Sequence, residues 1–193
     1  MDAQKLKDGV TFIVICYKEY WEAYMFIGMM LCQTNPNWKI IIWHDGPNPE
    51  LKKVVESFVD DRIKYIENDT NLGAWGAYNR KKALEIVDTK YVIQTTIQEY
   101  YVPITVDTIL QHDIDFIYWN VIHHSANYFV LNSYPKVNFI DWSNFVIKTE
   151  IARKVNINHP EEYCGDGMFV EDCFKSGLIT TQYKLPIILN IKN

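Results

Sequence analysis

The sequence has no block of basic residues, and its formal net charge is −5. Nucleic acid and anionic membranes are therefore not expected as main partners. A CxxC pair is also missing. Cys16, Cys32, Cys164 and Cys173 stand apart, which fits reduced thiols in a cytoplasmic protein. The longest apolar run, near Tyr24–Cys32, is too short to span a bilayer. Thr11–Cys16 is too short for a signal-peptide core and is closely followed by Lys18 and Glu19, so no targeting segment is expected. Neither GxGxxG nor GxxxxGK[ST] occurs, which counts against dinucleotide and P-loop chemistry. No low-complexity linker or internal repeat divides the 193 residues. The length fits one domain, 1–193, whole or cut from a longer protein.

What is present is a large apolar content, 48%, enough for a sizeable core, and 15% aromatics that can fill that core or line a cleft. Val10–Cys16 is a continuous apolar run and reads as a central strand. Trp21, Tyr24, Met25, Gly28, Leu31 and Cys32 recur at helical spacing up to Asn35-Pro36. Lys39–Trp43 reads as a second buried strand. Asn48 is placed to cap a helix with Pro49 at its first position and Leu51, Val54, Val55 and Phe58 on one face. Arg62–Glu67 alternates as a shorter strand. A Gly-bearing loop, Asn71–Gly76, then leads to a helix over Asn79–Val87 and a strand over Lys90–Ile97. This βαβαβαβ order predicts an α/β fold with a mostly parallel, Rossmann-like central sheet and helices on both faces. The second half is less regular. A helix is expected over Pro103–Gln111, a strand over Phe116–Ile122, and one or two strands within Val137–Ile147. Thr149 is expected to cap a short helix, Asp166–Ser176 to form another, and Leu185–Ile191 to form the last strand.

Polar groups follow four of these strands: Tyr17-Lys18, His44-Asp45, Asn71 to Asn79, and Thr96 to Glu99. Open α/β sheets bind ligands outside the carboxyl ends of their strands, so four such groups in register outline one crevice. Asp45 suits either a hydrogen bond from a base or ribose, or the turn before Gly46. Gly73 and Gly76 suit either tight turns or a helix start whose N–H groups hold phosphate. The stretch YVIQTTIQEYYVP, Tyr91–Pro103, is the centre of the pattern: a buried strand that turns polar at Gln98 and Glu99 and stops at Pro103.

These segments resemble the GT-A-fold glycosyltransferases, most of all the family 2 type that uses nucleotide-diphosphate sugars. Cys16-Tyr17-Lys18 matches the Thr-Tyr-Asn end of the family's first strand. The run QTNPNWKIIIWHDG, residues 33–46, matches its QTYPNWEIIIVDDGS-like run, and Asn71, Gly73, Asn79 and Arg80 match its Asn-x-Gly…Asn-Arg segment. The resemblance covers about residues 10–110 well and the remainder loosely. It implies a glycosyltransferase carrying a hexosyl or deoxyhexosyl group from a nucleotide-diphosphate sugar, UDP favoured, to the hydroxyl of a glycan or glycoconjugate. Cys16, Tyr17, Asp45, Asn71, Gly73, Asn79, Arg80, Thr96 and Gln98 would bind the donor. The first half, about 1–100, would hold the nucleotide and the second, about 101–193, the acceptor. The family's Asp-x-Asp motif falls on Thr96, Gln98 and Glu99, where only Glu99 is a carboxylate. Any Mn²⁺ or Mg²⁺ would thus rest on Glu99 and the diphosphate, since such ions prefer carboxylate oxygen.

The segment GDGMFVED, residues 165–172, resembles the family's acidic segment at the start of a late helix. Inverting transfer needs a carboxylate to deprotonate the acceptor hydroxyl. Asp166 is the first choice and Glu171 or Asp172 the next, while an N-cap role for Asp166 is the competing reading. No His follows Asp166, so the C-terminal His metal ligand of some relatives is absent. Trp119, Tyr128, Tyr134 and Trp142 suit an acceptor sugar or the core, and His123 and His124 a solvated edge. The rival to an enzyme is a domain of the same fold that holds a nucleotide sugar with catalysis weakened. A nucleotidyltransferase would need a Gly- and Arg-rich phosphate loop that is missing.

Overall fold

Strand β1 (Val10–Cys16) is buried along its whole length, and a strand with no polar face belongs in mid-sheet. The computed structural model, which describes residues 7–192, places it there. Helix α1 (Trp21–Leu31), strand β2 (Trp38–His44), helix α2 (Pro49–Glu56), strand β3 (Ile63–Glu67), helix α3 (Ala77–Ile86) and strand β4 (Tyr91–Thr96) follow in order. β1 runs parallel to β2 and β4, and β2 runs parallel to β3. Asn48 caps α2 through Leu51 N–H, with Pro49 in the first turn, as its sequence requires.

The second half adds β5 (Tyr100–Tyr101), α4 (Thr105–Leu110), β6 (Phe116–Tyr118), β7 (Val121–His123), β8 (Phe129–Leu131), β9 (Phe145–Lys148), α5 (Thr149–Val155), α6 (Gly165–Lys175), β10 (Gln182–Lys184) and β11 (Asn190–Lys192). The main sheet has the order β10-β6-β9-β4-β1-β2-β3, and a smaller one the order β5-β11-β7-β8. Only β9 opposes its neighbours in the main sheet. Alternate residues of β1 feed two cores. Val10, Phe12 and Val14 meet Phe26, Met30, Leu51 and Ile109, while Ile13 and Ile15 meet Leu84, Ile151, Phe169 and Val170. Helices therefore cover both faces, in the GT-A arrangement that the sequence implied.

Several local expectations change. The stripe Trp21, Tyr24, Met25 and Leu31 faces solvent, and Ala23, Phe26, Ile27 and Met30 pack inward instead. α1 is apolar nearly all round, so spacing alone does not choose its buried face. Phe116–Ile122 is not one strand: it breaks at Trp119-Asn120, so that β6 joins the main sheet and β7 the smaller one. Trp119 is fully buried at the break, and its Nε1–H donates to Asn190 Oδ1 at 2.7 Å. Within Val137–Ile147 the only strand is the start of β9, preceded by a 3₁₀ turn over Trp142–Asn144. Thr149 is the first residue of α5, with Lys148 at the cap position, rather than the cap itself.

Candidate active site

Asp45, just past β2, is the most heavily bonded of the expected site residues. Its Oδ1 accepts from Asn68 Nδ2 and Leu72 N–H, both at 2.8 Å. Its Oδ2 accepts from Asn71 Nδ2 and Gly73 N–H, both at 2.9 Å. Burial raises its pKa, but the Leu72 N–H, the Asn68 amide and the Gly73 N–H outweigh that and hold it below the ordinary carboxylate value. Four donors fill the carboxylate's acceptor capacity. Asp45 therefore shapes the 71–73 loop rather than presenting a free oxygen. Asn68, which sequence reading missed, ties this centre inward: it also donates to Asn79 Oδ1 at 2.7 Å and accepts from Trp43 Nε1–H at 3.0 Å. His44 pins the neighbouring loop. Its Nδ1–H faces Gly46 O at 2.7 Å, and its Nε2 accepts from Lys18 N–H at 3.0 Å.

The loop runs into a left-handed stretch. Ala74, Trp75 and Gly76 all have positive φ, which costs a residue with a Cβ about 1–2 kcal/mol. At Gly76 a Cβ would lie 2.4 Å from Ile15 Cγ2, so glycine is required where the loop crosses β1. The result is a cleft of about 410 Å³ lined by Cys16, Tyr17, Asp45, Asn71, Gly73, Arg80, Thr96 and Gln98, with Glu19 and Trp75 at its walls. Eight of the nine expected donor residues thus converge. The ninth, Asn79, is fully buried behind the wall. Burial pushes the Cys16 thiol well up, leaving it an inert apolar contact.

A second cleft of about 690 Å³ meets the first at Trp75 and Thr96, and holds Asp141, Trp142, Tyr163, Asp166 and Lys192. Trp75 and Tyr163 meet edge to face across the junction, with ring centroids 5.4 Å apart. Asp166 lies in the first turn of α6, where Cys164 occupies the cap position, so Asp166 is not the N-cap. Its Oδ1 accepts from its neighbour Gly167 N–H at 2.7 Å. Burial and the nearby Asp141 carboxylate push its pKa up to about 6, against the opposing pull of Gly167 N–H, Lys192 and Arg80. Glu171 and Asp172 do not reach either cleft. Glu171 accepts from Val137 N–H at 3.1 Å and Lys175 Nζ at 3.2 Å, and Asp172 faces His159 Nε2 at 2.8 Å. Asp141 and Lys192, an ion pair in the second cleft, carry no sequence signal that would have singled them out.

Glu99 is not where a metal ligand belongs. It is 4% exposed, turned from both clefts, and accepts from Asn190 Nδ2 at 3.0 Å. Burial, reinforced by Asp141, pushes its pKa up to about 8, so it is protonated at neutral pH. Thr96 and Gln98 face the clefts without a carboxylate. Among the described residues no three His, Cys, Asp or Glu side chains converge on one point. A hard divalent ion wants several oxygen ligands, carboxylates foremost, so the residues at the Asp-x-Asp position do not fit one.

These two clefts adjoin one another at the strand ends of a GT-A sheet. Residues 11–176 match the family model "Glycosyl transferase family 2", and the chain belongs to that family. It is 24% identical over 162 residues to the Escherichia coli UDP-Glc:alpha-D-GlcNAc-diphosphoundecaprenol beta-1,3-glucosyltransferase WfgD, covering 82% of this chain and 57% of WfgD. The S. aureus TarS 1-349 structure in complex with UDP-GlcNAc is similar, with a TM-score of 0.79, 13% identity, and coverage of 96% of this chain and 58% of that one. So is the mannosyltransferase PcManGT from Pyrobaculum calidifontis in complex with GDP-Man and Mn2+, with a TM-score of 0.73, 13% identity, and coverage of 94% and 56%. The chain therefore spans little more than half the length of these relatives. Among the described residues no helix is long and apolar enough to cross a membrane.

Proposed function

We propose that this chain moves a sugar from a UDP-sugar to a glycan hydroxyl with inversion, and that Asp166 is the base. The observation that carries the reading is the placement of Asp166 in a cleft that shares Trp75 and Thr96 with the cleft built on Asp45. The nucleotide occupies the Asp45 cleft, beside Tyr17, and the acceptor lies in the second. The acceptor oxygen attacks the anomeric carbon as the bond to the diphosphate oxygen breaks. Asp166 takes the hydroxyl proton, and the nucleoside diphosphate leaves with the bonding electrons. A pKa near 6 suits the task, because the carboxylate is ionised at neutral pH yet remains a better proton acceptor than an ordinary Asp. Use of a UDP donor is supported by the UDP-Glc donor in WfgD's name and by UDP-GlcNAc in the TarS complex. A glycoconjugate acceptor is supported by WfgD in the same way. Four free thiols support a reducing, cytoplasmic site of action.

A donor panel read by thermal shift tests the nucleotide, since a ligand at about 100 times its Kd adds about 2.7 kcal/mol. The anomeric configuration of the product, read by NMR, tests inversion. Stabilisation by GDP-sugars alone, or a product that retains the donor's configuration, overturns the corresponding part.

A further inference from the structure

Two cations line the adjoining clefts, Arg80 the first and Lys192 the second, and neither has its donors filled by the protein. Arg80, which lines the first cleft, is 3% exposed. Its Nη1 donates to Thr95 O at 3.2 Å, its Nε has no hydrogen-bond partner, and its guanidinium lies 5.3 Å from the Trp142 ring centre. No carboxylate lies within ion-pair distance of it among the described residues. Burial lowers its pKa, to about 10, so it stays charged at neutral pH. A buried, unpaired charge is costly unless something arrives to pair with it. Lys192 lines the second cleft, as do Thr96 and Asp166. Burial alone would lower its pKa, but Asp141 outweighs that and holds it above the ordinary value. Its hydrogen bond to Asp141 uses one of the ammonium's three donors.

We propose that Arg80 and Lys192 form a cationic clamp for the donor diphosphate, standing where a divalent ion would otherwise be needed. This rests on the donor reading above. Thr96, shared by the two clefts, sits between the two cations' clefts, where a diphosphate joining nucleotide to sugar must pass. The charges around the clamp also change in the required sense. Arg80 and Lys192 face Asp141 and Asp166, with Glu99 protonated and Tyr101 neutral, so two cations balance two carboxylates before reaction. When Asp166 accepts the acceptor's proton, one carboxylate is neutralised and the cluster gains positive charge. The diphosphate, already a dianion in the donor, gains one further negative charge in the same step as the bond to the sugar breaks. Fixed donors aimed at charge that develops in the transition state lower the barrier without reorganising.

The test compares UDP, UMP and uridine, and the matching guanosine series, by calorimetry in EDTA and again in Mn²⁺. In EDTA the diphosphate should bind more tightly than the monophosphate. Lys192→Met should lower diphosphate affinity about ten- to a hundredfold, the scale of a charge-assisted hydrogen bond, with nucleoside affinity unchanged. Lys192→Arg should restore most of it. Lys192→Met leaves Asp141 unpaired, so the doubly neutral pair Lys192→Met with Asp141→Asn is measured too and should show the same selective loss in a folded protein. A diphosphate preference that appears only with Mn²⁺, or one that survives both Lys192→Met variants, overturns the clamp and leaves the transferase reading standing. A guanosine preference overturns the UDP reading alone, because the mono- against diphosphate comparison is made on both bases. Binding by none of these nucleotides overturns both.

Discussion

Replacing Asp166 by Asn removes the proposed base while changing little else. The side chain keeps its shape and the oxygen that accepts from Gly167 N–H. General-base assistance contributes about 10²–10⁴-fold, so kcat should fall by that factor with no loss of UDP affinity, because Asp166 lies in the second cleft only and its neutralisation leaves Arg80 and Lys192 less opposed. The wild-type pH profile carries a second signature. With the carboxyl at about 6, activity should rise with pH through that value and level off above it, and the Asn variant should lose that limb. Stability should move the other way. The folded value lies above the ordinary 3.8, so the contribution of this group is fully present below about 3.9 and is lost as pH rises through about 6. At pH 8 the uncharged Asn escapes a penalty of at most about 3 kcal/mol, less what solvent screening removes. The variant should therefore melt no lower than wild type while being far less active. Steady-state kinetics from pH 5 to 8 and melts at pH 8 decide the matter. Near-wild-type turnover, or an unchanged pH 6 limb in the variant, refutes the assignment.

Asp45→Ala should lower stability by about 2–5 kcal/mol, since it strands the Leu72 and Gly73 N–H groups and two Asn amides. Urea unfolding checks this, and UDP affinity should fall with the loosened loop. Because Asp45 is held below its ordinary value, its contribution is present above about pH 3.9 and is lost as pH falls through the folded value. An Ala variant that matches wild type at pH 7 would show that the loop holds without it. Glu99→Gln should leave activity at pH 7 largely intact, because Glu99 is already neutral there. Wild type should lose stability as pH climbs from about 4.5 to about 8, and the Gln variant should have a flatter curve over that range. Equal slopes count against a buried, protonated Glu99. Gly167→Ala would set a Cβ 2.5 Å from Val137 Cα and 3.0 Å from its N. Backbone cannot step aside as a side-chain tip can, so a loss of about 1–3 kcal/mol is expected, with a lower kcat as the Asp166 turn shifts. A variant as stable as wild type in melts refutes that packing argument.

The first half of the fold was legible because each element carried its own signal. VTFIVIC and WKIIIWH are strands with no polar face, and Asn48-Pro49 names the start of its helix. The second half depends on partners far away in sequence. Phe116–Ile122 is one apolar run, yet β6 pairs with β9 and β10 while β7 pairs with β8 and β11. Nothing within the run marks the division except Asn120, whose side chain bonds Asn132 and Ser133 across the β7–β8 hairpin. Likewise Phe129–Leu131, exposed on both faces, offers no alternation to detect.

The candidate site divides along the same line. Tyr17, Asp45, Asn71, Gly73, Thr96 and Gln98 follow successive strands of one parallel sheet, so order along the chain became proximity in space. Asp141, Asp166 and Lys192 meet only because β11 inserts between β5 and β7 and carries Lys192 to Asp141. No local pattern announces such a meeting. Glu99 shows how a motif misleads when it is read as composition alone. Tyr100 and Tyr101 pair with Ile191 and Asn190, and the chain reaches them from β4 through a turn at Ile97-Gln98 in which Glu99 N–H donates to Thr96 O at 3.4 Å. Gln98 lies on the cleft wall, while Glu99, at the end of that turn, is directed to Asn190 and Ser143. The one carboxylate of TIQE stands a single residue past the cleft-lining run Thr96 to Gln98. That single step turns a would-be metal ligand into a buried acid, and it leaves positive charge at the junction to Arg80 and Lys192.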